Sequence, residues 1–196
     1  MQGLADGYFV LPYTVSNYLA DEIRAGKIAT DSVEFIDAER KVKESIDKFL
    51  NNNGTKSVDY FHKRLGLIMW NKVGMGRNEA GLTQAIAEIA ALKAEFFRDV
   101  YVPGRADELN PELEKALRVA DFFDLGQLMA RDALQRKESC GGHFREEYQT
   151  EEGEAMRDDE NYMYVSAWEH KGPEEWELHK EELEYENIKI AQRSYK

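Results

Sequence analysis

The stretch from Asn78 to Gly104 reads NEAGLTQAIAEIAALKAEFFRDVYVPG, and its pattern of apolar residues decides the fold class. The apolar residues recur every three or four positions, which places their side chains on one face of an α-helix. They are Leu82, Ile86, Ile89, Leu92, Phe96 and Val100. Asn78 can cap the first turn, and Pro103-Gly104 prevents the helix from continuing. The pattern predicts a helix over 78–101 with one buried face, which needs neighbours to cover it.

The segments on both sides of this stretch repeat the same spacing. They predict further helices over 32–52, 57–73 and 110–137, with caps at Thr30-Asp31-Ser32, at Ser57 and at Asn110-Pro111. In the first of these, Phe35 or Ile36, Val42, Ile46, Phe49 and Leu50 form the stripe. We expect an up-down helical bundle, a spectrin-repeat-like three-helix core with a flanking helix. Its predicted core contains Ile68, Ile86, Ile89, Phe96, Leu117 and Phe123.

The helical spacing ends near Ser139. A polar, glycine-containing loop follows, and the aromatic and β-branched segments Tyr162 to Trp168 and Trp176 to Ile190 predict a small hairpin that turns at Lys171-Gly172-Pro173. The fold class is therefore mainly α, with a C-terminal β-hairpin or extended tail. The predicted domains are 1–30, 31–137 and 138–196.

The first 24 residues differ from the bundle. Glycines and Pro12 are expected to interrupt any long helix there. No segment upstream in the sequence can cover the apolar run from Tyr8 to Leu11. We therefore expect the sequence to start within a larger protein, where this run packs against a neighbouring domain.

Composition excludes several classes of function. The 196 residues carry a formal charge of −12, which disfavours binding to the phosphates of nucleic acids. Residues 141–196 hold 16 acidic and 7 basic residues, a net charge of −9. We therefore expect this segment and residues 1–140 to have different functions. The single cysteine, Cys140, excludes an internal disulfide. Without a membrane-length apolar run or a signal peptide, we expect a cytoplasmic protein.

Few residues carry patterns that point to chemistry. The four histidines, His62, His143, His170 and His179, are too scattered in sequence to predict a metal site, and no catalytic or cofactor-binding residue is assigned. Paired acids are interpreted as solvated faces, and Cys140 as a free loop thiol. The segment from Arg136 to Glu147 remains. It fits either a helix C-cap or a docking loop, and the two interpretations are compatible.

At this segment the chain resembles the C-terminal helical domain of the flavoprotein subunit of succinate dehydrogenase and fumarate reductase. That family carries Arg-x-Glu-Ser-Arg-Gly-x-His-x-Arg at the end of its last helix. Arg136, Glu138, Ser139, Gly141, His143 and Arg145 match the motif, and Cys140 replaces the second Arg. Met69 to Arg77 resembles the family's Met-Trp-x-x-Val-Gly-x-x-Arg. Gly3 to Gly7 resembles the last turns of the helix that closes the family's flavin-binding domain, and Arg193-Ser194-Tyr195 resembles its Arg-x-Tyr tail.

The resemblance implies a role within a larger enzyme. The whole subunit is expected to interconvert succinate and fumarate with FAD and to pass electrons to an iron-sulfur subunit. It would lie peripherally at the cytoplasmic face of the inner membrane and meet the membrane anchor only indirectly. The 196 residues contain no Gly-rich nucleotide-binding unit, so we expect them to bind no flavin and to be inactive alone.

The same resemblance suggests where the domain meets its neighbours. Arg136, Ser139, His143 and Arg145 are the candidate interface residues toward the flavin-binding domain of the same chain or the iron-sulfur subunit. Any contact made by the usual second Arg must be missing or replaced at Cys140, because a thiol is a weak donor. Two alternatives stay open: the C-terminal domain of L-aspartate oxidase, and a free-standing acidic helical adaptor.

Overall fold

The computed structural model describes residues 2–191, and it describes the side chains from residue 3 onward. The chain divides into two units, residues 1–45 and 46–196, and the division falls within a helix. Arg193-Ser194-Tyr195, one of the stretches that carries the family resemblance, lies outside the described residues.

The first unit is more helical than its glycines and proline predict. Short α-helices α1 (Gln2–Ala5), α2 (Leu11–Tyr13) and α3 (Ala20–Arg24) alternate with π-helical turns at Asp6–Val10 and Thr14–Tyr18. Regular α-helix is interrupted here, as predicted, since the described α-helices of this segment are three to five residues long, but the π-helical turns between them keep the backbone helical. Pro12 lies in the first turn of α2, directly after a π-helical turn, and the first turn of a helix tolerates a residue without an amide proton. Tyr8 and Phe9 are each 73% exposed.

Four longer helices follow in the order that the sequence predicts. They are α4 (Val33–Leu50), α5 (Val58–Ile68), α6 (Glu79–Asp99) and α7 (Pro111–Gln135), and a π-helical turn at Met69–Val73 extends α5. The predicted caps of the last three are confirmed. Ser57 accepts from the amide of Tyr60, Asn78 from that of Gly81 and Asn110 from that of Leu113. These caps satisfy amides that have no partner within their own helix.

Aromatic rings form the centre of the core. The ring of Phe96 lies 5.2 Å from that of Phe61 and 5.3 Å from that of Phe123, centroid to centroid. Ile89, Phe96 and Phe123 are fully buried, as predicted. The other predicted core residues, Ile68, Ile86 and Leu117, are partly buried and pack against its edge.

Helix α4 departs from its predicted stripe. Phe49 is buried, and Ile46 and Leu50 pack beside the core, but Ile36 and Val42 are 56% and 59% exposed. Only the last turn of α4 therefore contributes to the core of the second unit. Helical spacing indicates which residues share a face, but not how far along the helix a neighbour covers that face.

Two parallel strand pairs join the ends of the helices. Strand β1 (Lys56–Ser57) pairs with β3 (Val100–Tyr101), and β2 (Gly76–Arg77) pairs with β4 (Phe144–Arg145). Gly54 lies just before β1, where a Cβ would come within 2.2 Å of the Asp99 carbonyl carbon. Only glycine fits this close approach of two backbones.

The C-terminal hairpin is present but shorter than predicted. After the short helix α8 (Asp159–Tyr162), β5 (Tyr164–Gly172) pairs antiparallel with β6 (Glu175–Glu182). The predicted extension of the second strand to Ile190 is wrong. Glu182 pairs with Tyr164, the first residue of β5, so no residue of β5 is left to pair with the segment after Glu182. None of the described helices is long and apolar enough to cross a bilayer.

Candidate interaction site at the end of helix α7

Arg145 caps the C-terminus of α7 from a distant point in the loop. Its side chain is fully buried, and Nη1 donates to the carbonyl oxygens of Ala133 at 2.9 Å and Leu134 at 3.1 Å. Nε donates to Glu147 Oε2 at 3.1 Å. A cation at this end complements the helix dipole, and the donors satisfy carbonyls that have no helical partner. The segment from Arg136 to Glu147 therefore does cap α7, and the residue that supplies the cap is Arg145.

Ser139 fixes the backbone of Arg145. Its hydroxyl accepts the Arg145 amide at 2.8 Å and donates to the Arg145 carbonyl at 3.1 Å, and Ser139 is fully buried. A single hydroxyl can fill both roles, as one donor and one acceptor. Ser139 therefore holds β4 at the register that carries the Arg145 side chain to the helix end.

His143 closes the same loop as a neutral donor. Its Nε2 lies 2.9 Å from the Arg136 carbonyl, which can only accept, so Nε2 carries the ring proton. Burial lowers the pKa of His143 from 6.5, and the charges of Arg77, Arg145 and Arg136 lower it further, against the opposing effect of the hydrogen bond to the carbonyl. Gly141, at φ +59°, lies inside the tight turn between Cys140 and His143.

Arg136 ties the loop to the hairpin. Its guanidinium donates to Glu138 Oε1 at 2.6 Å, and to the carbonyls of Tyr162 at 3.1 Å and Tyr164 at 2.9 Å. The guanidinium also lies over the rings of both tyrosines. Glu138, only 3% exposed, accepts the amide of Asp158 through its other oxygen. A planar fork with five donors is suited to holding several acceptors at once.

The loop also reaches the start of α6. Strand β2, which precedes α6, pairs with β4, and the Glu146 amide donates to the Arg77 carbonyl at 2.8 Å. Glu147 accepts the Glu79 amide at 2.5 Å, and Glu146 accepts from the Asn78 side chain at 2.7 Å. Carboxylates are favoured at a helix N-terminus. The loop therefore places a cation at the end of α7 and two anions at the start of α6.

At the corner where the β2–β4 pair meets the end of α7, two buried guanidinium atoms have no hydrogen-bond partner among the described residues. They are Arg145 Nη2 and Arg77 Nε. Burial lowers the pKa of Arg77, and the adjacent Arg145 charge adds to this effect. The corner is thus a compact group of like charges held in place by carbonyls and carboxylates.

The four predicted interface residues are brought together, but they differ in exposure. Ser139 and Arg145 offer no surface, while His143 and Arg136 are partly exposed. The exposed rim consists of Cys140, Gly141 and Gly142. On the neighbouring segment that follows α5, Trp70 is 83% exposed and Met75 is 79% exposed.

Sequence reasoning missed three partners of this corner: Arg77, Glu138 and Glu147. Arg77 and Glu138 lie inside the two motifs of the family resemblance, and this was a usable signal. Glu147 carried none, because its role depends on a contact with a helix start 68 residues earlier in the chain.

The sequence matches a family model described as fumarate reductase flavoprotein C-term over residues 62–195. A fumarate reductase flavoprotein subunit of Helicobacter pylori is 28% identical over 195 residues, with 97% of this chain and 25% of that protein covered. An uncharacterized FAD-dependent oxidoreductase of Methanocaldococcus jannaschii is 31% identical over 129 residues, with 63% and 23% covered. The chain thus spans about a quarter of the length of these curated relatives.

Solved structures share the fold. A Mycobacterium smegmatis Sdh1 structure in complex with UQ1 aligns with a TM-score of 0.69 at 24% identity, over 85% of this chain and 27% of that one. A quinol-fumarate reductase with menaquinol molecules also gives 0.69, at 21% identity, over 84% and 27%. The family model covers two thirds of the sequence, and the two motifs that resemble the family contain the two strands of the β2–β4 pair. The chain therefore belongs to the fumarate reductase flavoprotein C-terminal family.

Proposed function

We propose that this chain is the helical domain through which the flavoprotein subunit of a fumarate reductase or succinate dehydrogenase holds its neighbours in place. In that subunit, FAD would carry out the interconversion of succinate and fumarate and would pass electrons to an iron-sulfur subunit. The domain itself would supply no catalytic group. The proposed segments are the end of the flavin-binding domain with a linker over 1–30, the helical bundle over 31–137, and the acidic loop and β-hairpin tail over 138–196.

The observation that carries the proposal is the pairing of Gly76–Arg77 with Phe144–Arg145. It joins the two segments that resemble family motifs at one corner, and Arg145, Ser139 and His143 brace that corner from inside. Bracing of this kind fixes the shape of an exposed rim, as expected where a rigid scaffold presents a binding loop.

We place the partner-facing surface on the exposed rim Cys140 to Gly142, on half-buried His143, and on Trp70 and Met75. Trp70 and Met75 lie on the segment that leads into β2, and apolar side chains grouped beside a braced loop are typical of a surface that another domain covers. The partners proposed are the flavin-binding domain of the same polypeptide and the iron-sulfur subunit. The complex would be peripheral at the cytoplasmic face of the inner membrane and would meet a membrane anchor only indirectly.

The activity can be tested on the complete polypeptide that contains this sequence. We expect it to purify with FAD and to reduce fumarate with a reduced viologen dye as electron donor. We expect the 196-residue chain alone to be colourless and inactive, since it lacks a Gly-rich nucleotide-binding unit. Near-stoichiometric flavin in the isolated chain, or a complete polypeptide with neither flavin nor dye-linked activity, would contradict the proposal.

The interface can be tested with a paired change, Trp70→Ser with Met75→Ser, in the complete polypeptide. Both side chains are exposed, so the fold of the bundle should be unchanged, while flavin retention or co-purification of the iron-sulfur subunit should fall. Leu109→Ser is the matched control, because Leu109 is 95% exposed and lies in the loop before α7. Equal effects of the two variants would remove this surface from the proposal.

A further inference from the structure

The outer face of the hairpin gathers three side chains of types that bind metal ions. Glu169 lies on β5, and Glu177 and His179 lie on β6. One ligand atom from each of the three lies within 4.8 Å of the other two, and all three residues are exposed. Residue spacing alone does not predict this group, because Glu169 approaches Glu177 and His179 only through the pairing of the two strands.

The register of the hairpin explains why they meet. Glu169 pairs directly with Glu177, and His179 pairs with Ala167, one step along the same face. Side chains two residues apart on a strand point to the same side, so all three project outward. The opposite face carries Trp168, whose Nε1 donates to Asp132 on α7 at 2.8 Å. The cluster is therefore built on a paired, anchored ribbon and not on a free loop.

The carboxylates of Glu169 and Glu177 repel each other on this face unless a cation lies between them. Two like charges directly opposite each other destabilise a strand pair. Lys171 relieves the repulsion, because its Nζ lies 2.9 Å from Glu169 Oε1 and 2.9 Å from Glu177 Oε2. The ammonium shows that the two carboxylates converge on one point that a positive ion can occupy. His179 Nε2 lies 2.8 Å from the other oxygen of Glu169 and adds a nitrogen ligand beside that point.

We propose that Glu169, Glu177 and His179 form a binding site for a divalent transition metal ion of the Zn²⁺ class, with Lys171 as its built-in competitor. One imidazole and two carboxylates suit zinc and its neighbours better than Ca²⁺ or Mg²⁺, which prefer oxygen ligands alone. Zn²⁺ takes the place of the proton between His179 Nε2 and Glu169; that proton leaves to solvent or moves to Nδ1, so that the bound ring is neutral with its single proton on Nδ1. Water completes the coordination.

Small side-chain rotations are sufficient to form the site. Ligand atoms at about 2.0–2.2 Å from a tetrahedral ion lie farther apart than the present hydrogen bond between His179 and Glu169. Glu169 and His179 have side chains that are about half exposed, so both can turn without disturbing packing. The net charge of −9 over residues 141–196 raises the local concentration of cations. This inference does not depend on the proposed function.

The test uses the 196-residue chain and Zn²⁺ in competition with a chromophoric chelator. We expect one Zn²⁺ bound per chain, and an affinity at least about tenfold lower in His179→Ala and in Glu177→Gln, because even groups that only orient a metal ligand contribute about 10- to 100-fold. Lys171→Met should bind Zn²⁺ more tightly than the natural chain, since it removes the competing ammonium.

His170→Ala is the matched control. His170 is the neighbouring residue on β5, points to the opposite face and contacts the ring of Trp176. An unchanged affinity in this variant, together with the loss in His179→Ala, assigns binding to the cluster. Equal losses in both variants, no Zn²⁺ binding to the natural chain, or weaker binding after Lys171→Met would overturn the proposal. Circular dichroism of each variant checks that the fold is retained.

Discussion

Arg145 is the residue on which the end of α7 depends most. Arg145→Ala leaves the carbonyls of Ala133 and Leu134 without their donor, and buried groups left unpaired cost about 1–3 kcal/mol. We expect the free energy of unfolding to fall by at least that amount in chemical denaturation. Arg118→Ala is the control, since Arg118 is exposed and pairs with Glu114 one turn away. A loss for Arg145→Ala as small as that of the control would show that the cap is dispensable.

His143 predicts a pH dependence with a defined sign. Burial lowers its pKa in the folded chain below the ordinary 6.5, so below that pH the unfolded chain binds more protons than the folded one. The stability contributed by neutral His143 is complete above 6.5 and decreases as the pH falls through the interval between 6.5 and the lowered pKa. The natural chain should lose stability relative to His143→Gln over this interval. Parallel curves for the two proteins would contradict the lowered pKa.

Cys140 is the position at which the sequence departs from the family pattern. Its side chain is exposed, so Cys140→Arg should fit without repacking and should change the free energy of unfolding by no more than about 0.5 kcal/mol. Thermal or chemical unfolding of the variant measures this directly. A larger loss would show that the thiol has a packing role that its exposure does not indicate.

Contacts of individual side chains were the least predictable features of the structure. The N-caps at Ser57, Asn78 and Asn110 were predictable because each cap bonds an amide three residues away. The burial of Arg145 was not, because it depends on carbonyls on a helix that ends ten residues earlier and on a strand pairing with Arg77. A charged residue in a polar loop gives no sequence signal that a helix end will enclose it.

Among the elements, α6 is the centre of the bundle. Ile89 is fully buried, so Ile89→Ala should lower the free energy of unfolding by about 2–5 kcal/mol through lost burial and the cavity that remains. Leu67→Ala, at a helical position that is 61% exposed, is the control and should have a small effect. Denaturant titration of both variants makes the comparison. A loss below about 1 kcal/mol for Ile89→Ala would place it outside the core.

The helix bounds were predicted within a few residues, while the strands were not. Helices α5, α6 and α7 follow local spacing and caps. The two short parallel pairs involve segments of two residues each, too short for any alternation to be seen, and they form only because helix ends meet. The aromatic residues predicted the hairpin. The last residue of β6 was not predictable from them, because it depends on which residue is the first of β5.

At the scale of the whole molecule, the exposed apolar surface of the first unit is the most testable feature. Phe9 is 73% exposed and Tyr18 is 85% exposed. Replacing both with Ser should reduce the fluorescence of a hydrophobic dye bound to the 196-residue chain, because exposed apolar side chains bind such dyes. Leu109→Ser is the control for a single exposed apolar side chain. Unchanged dye binding in the double variant would locate the apolar surface elsewhere.

The β2–β4 pairing sets an order of events during synthesis and folding. The contacts between Asn78 and Glu146 and between Glu79 and Glu147 each span 68 residues, so they close one of the long loops of the chain. Such contacts come late, because the entropy of closing the loop must be overcome before they contribute. On the ribosome, α5 and α6 emerge and can begin to pack well before Arg145 is available to finish α7. We therefore expect the end of α7 to stay open to hydrogen exchange and proteolysis until the loop has been made, with the β2–β4 corner closing as one of the last steps of folding.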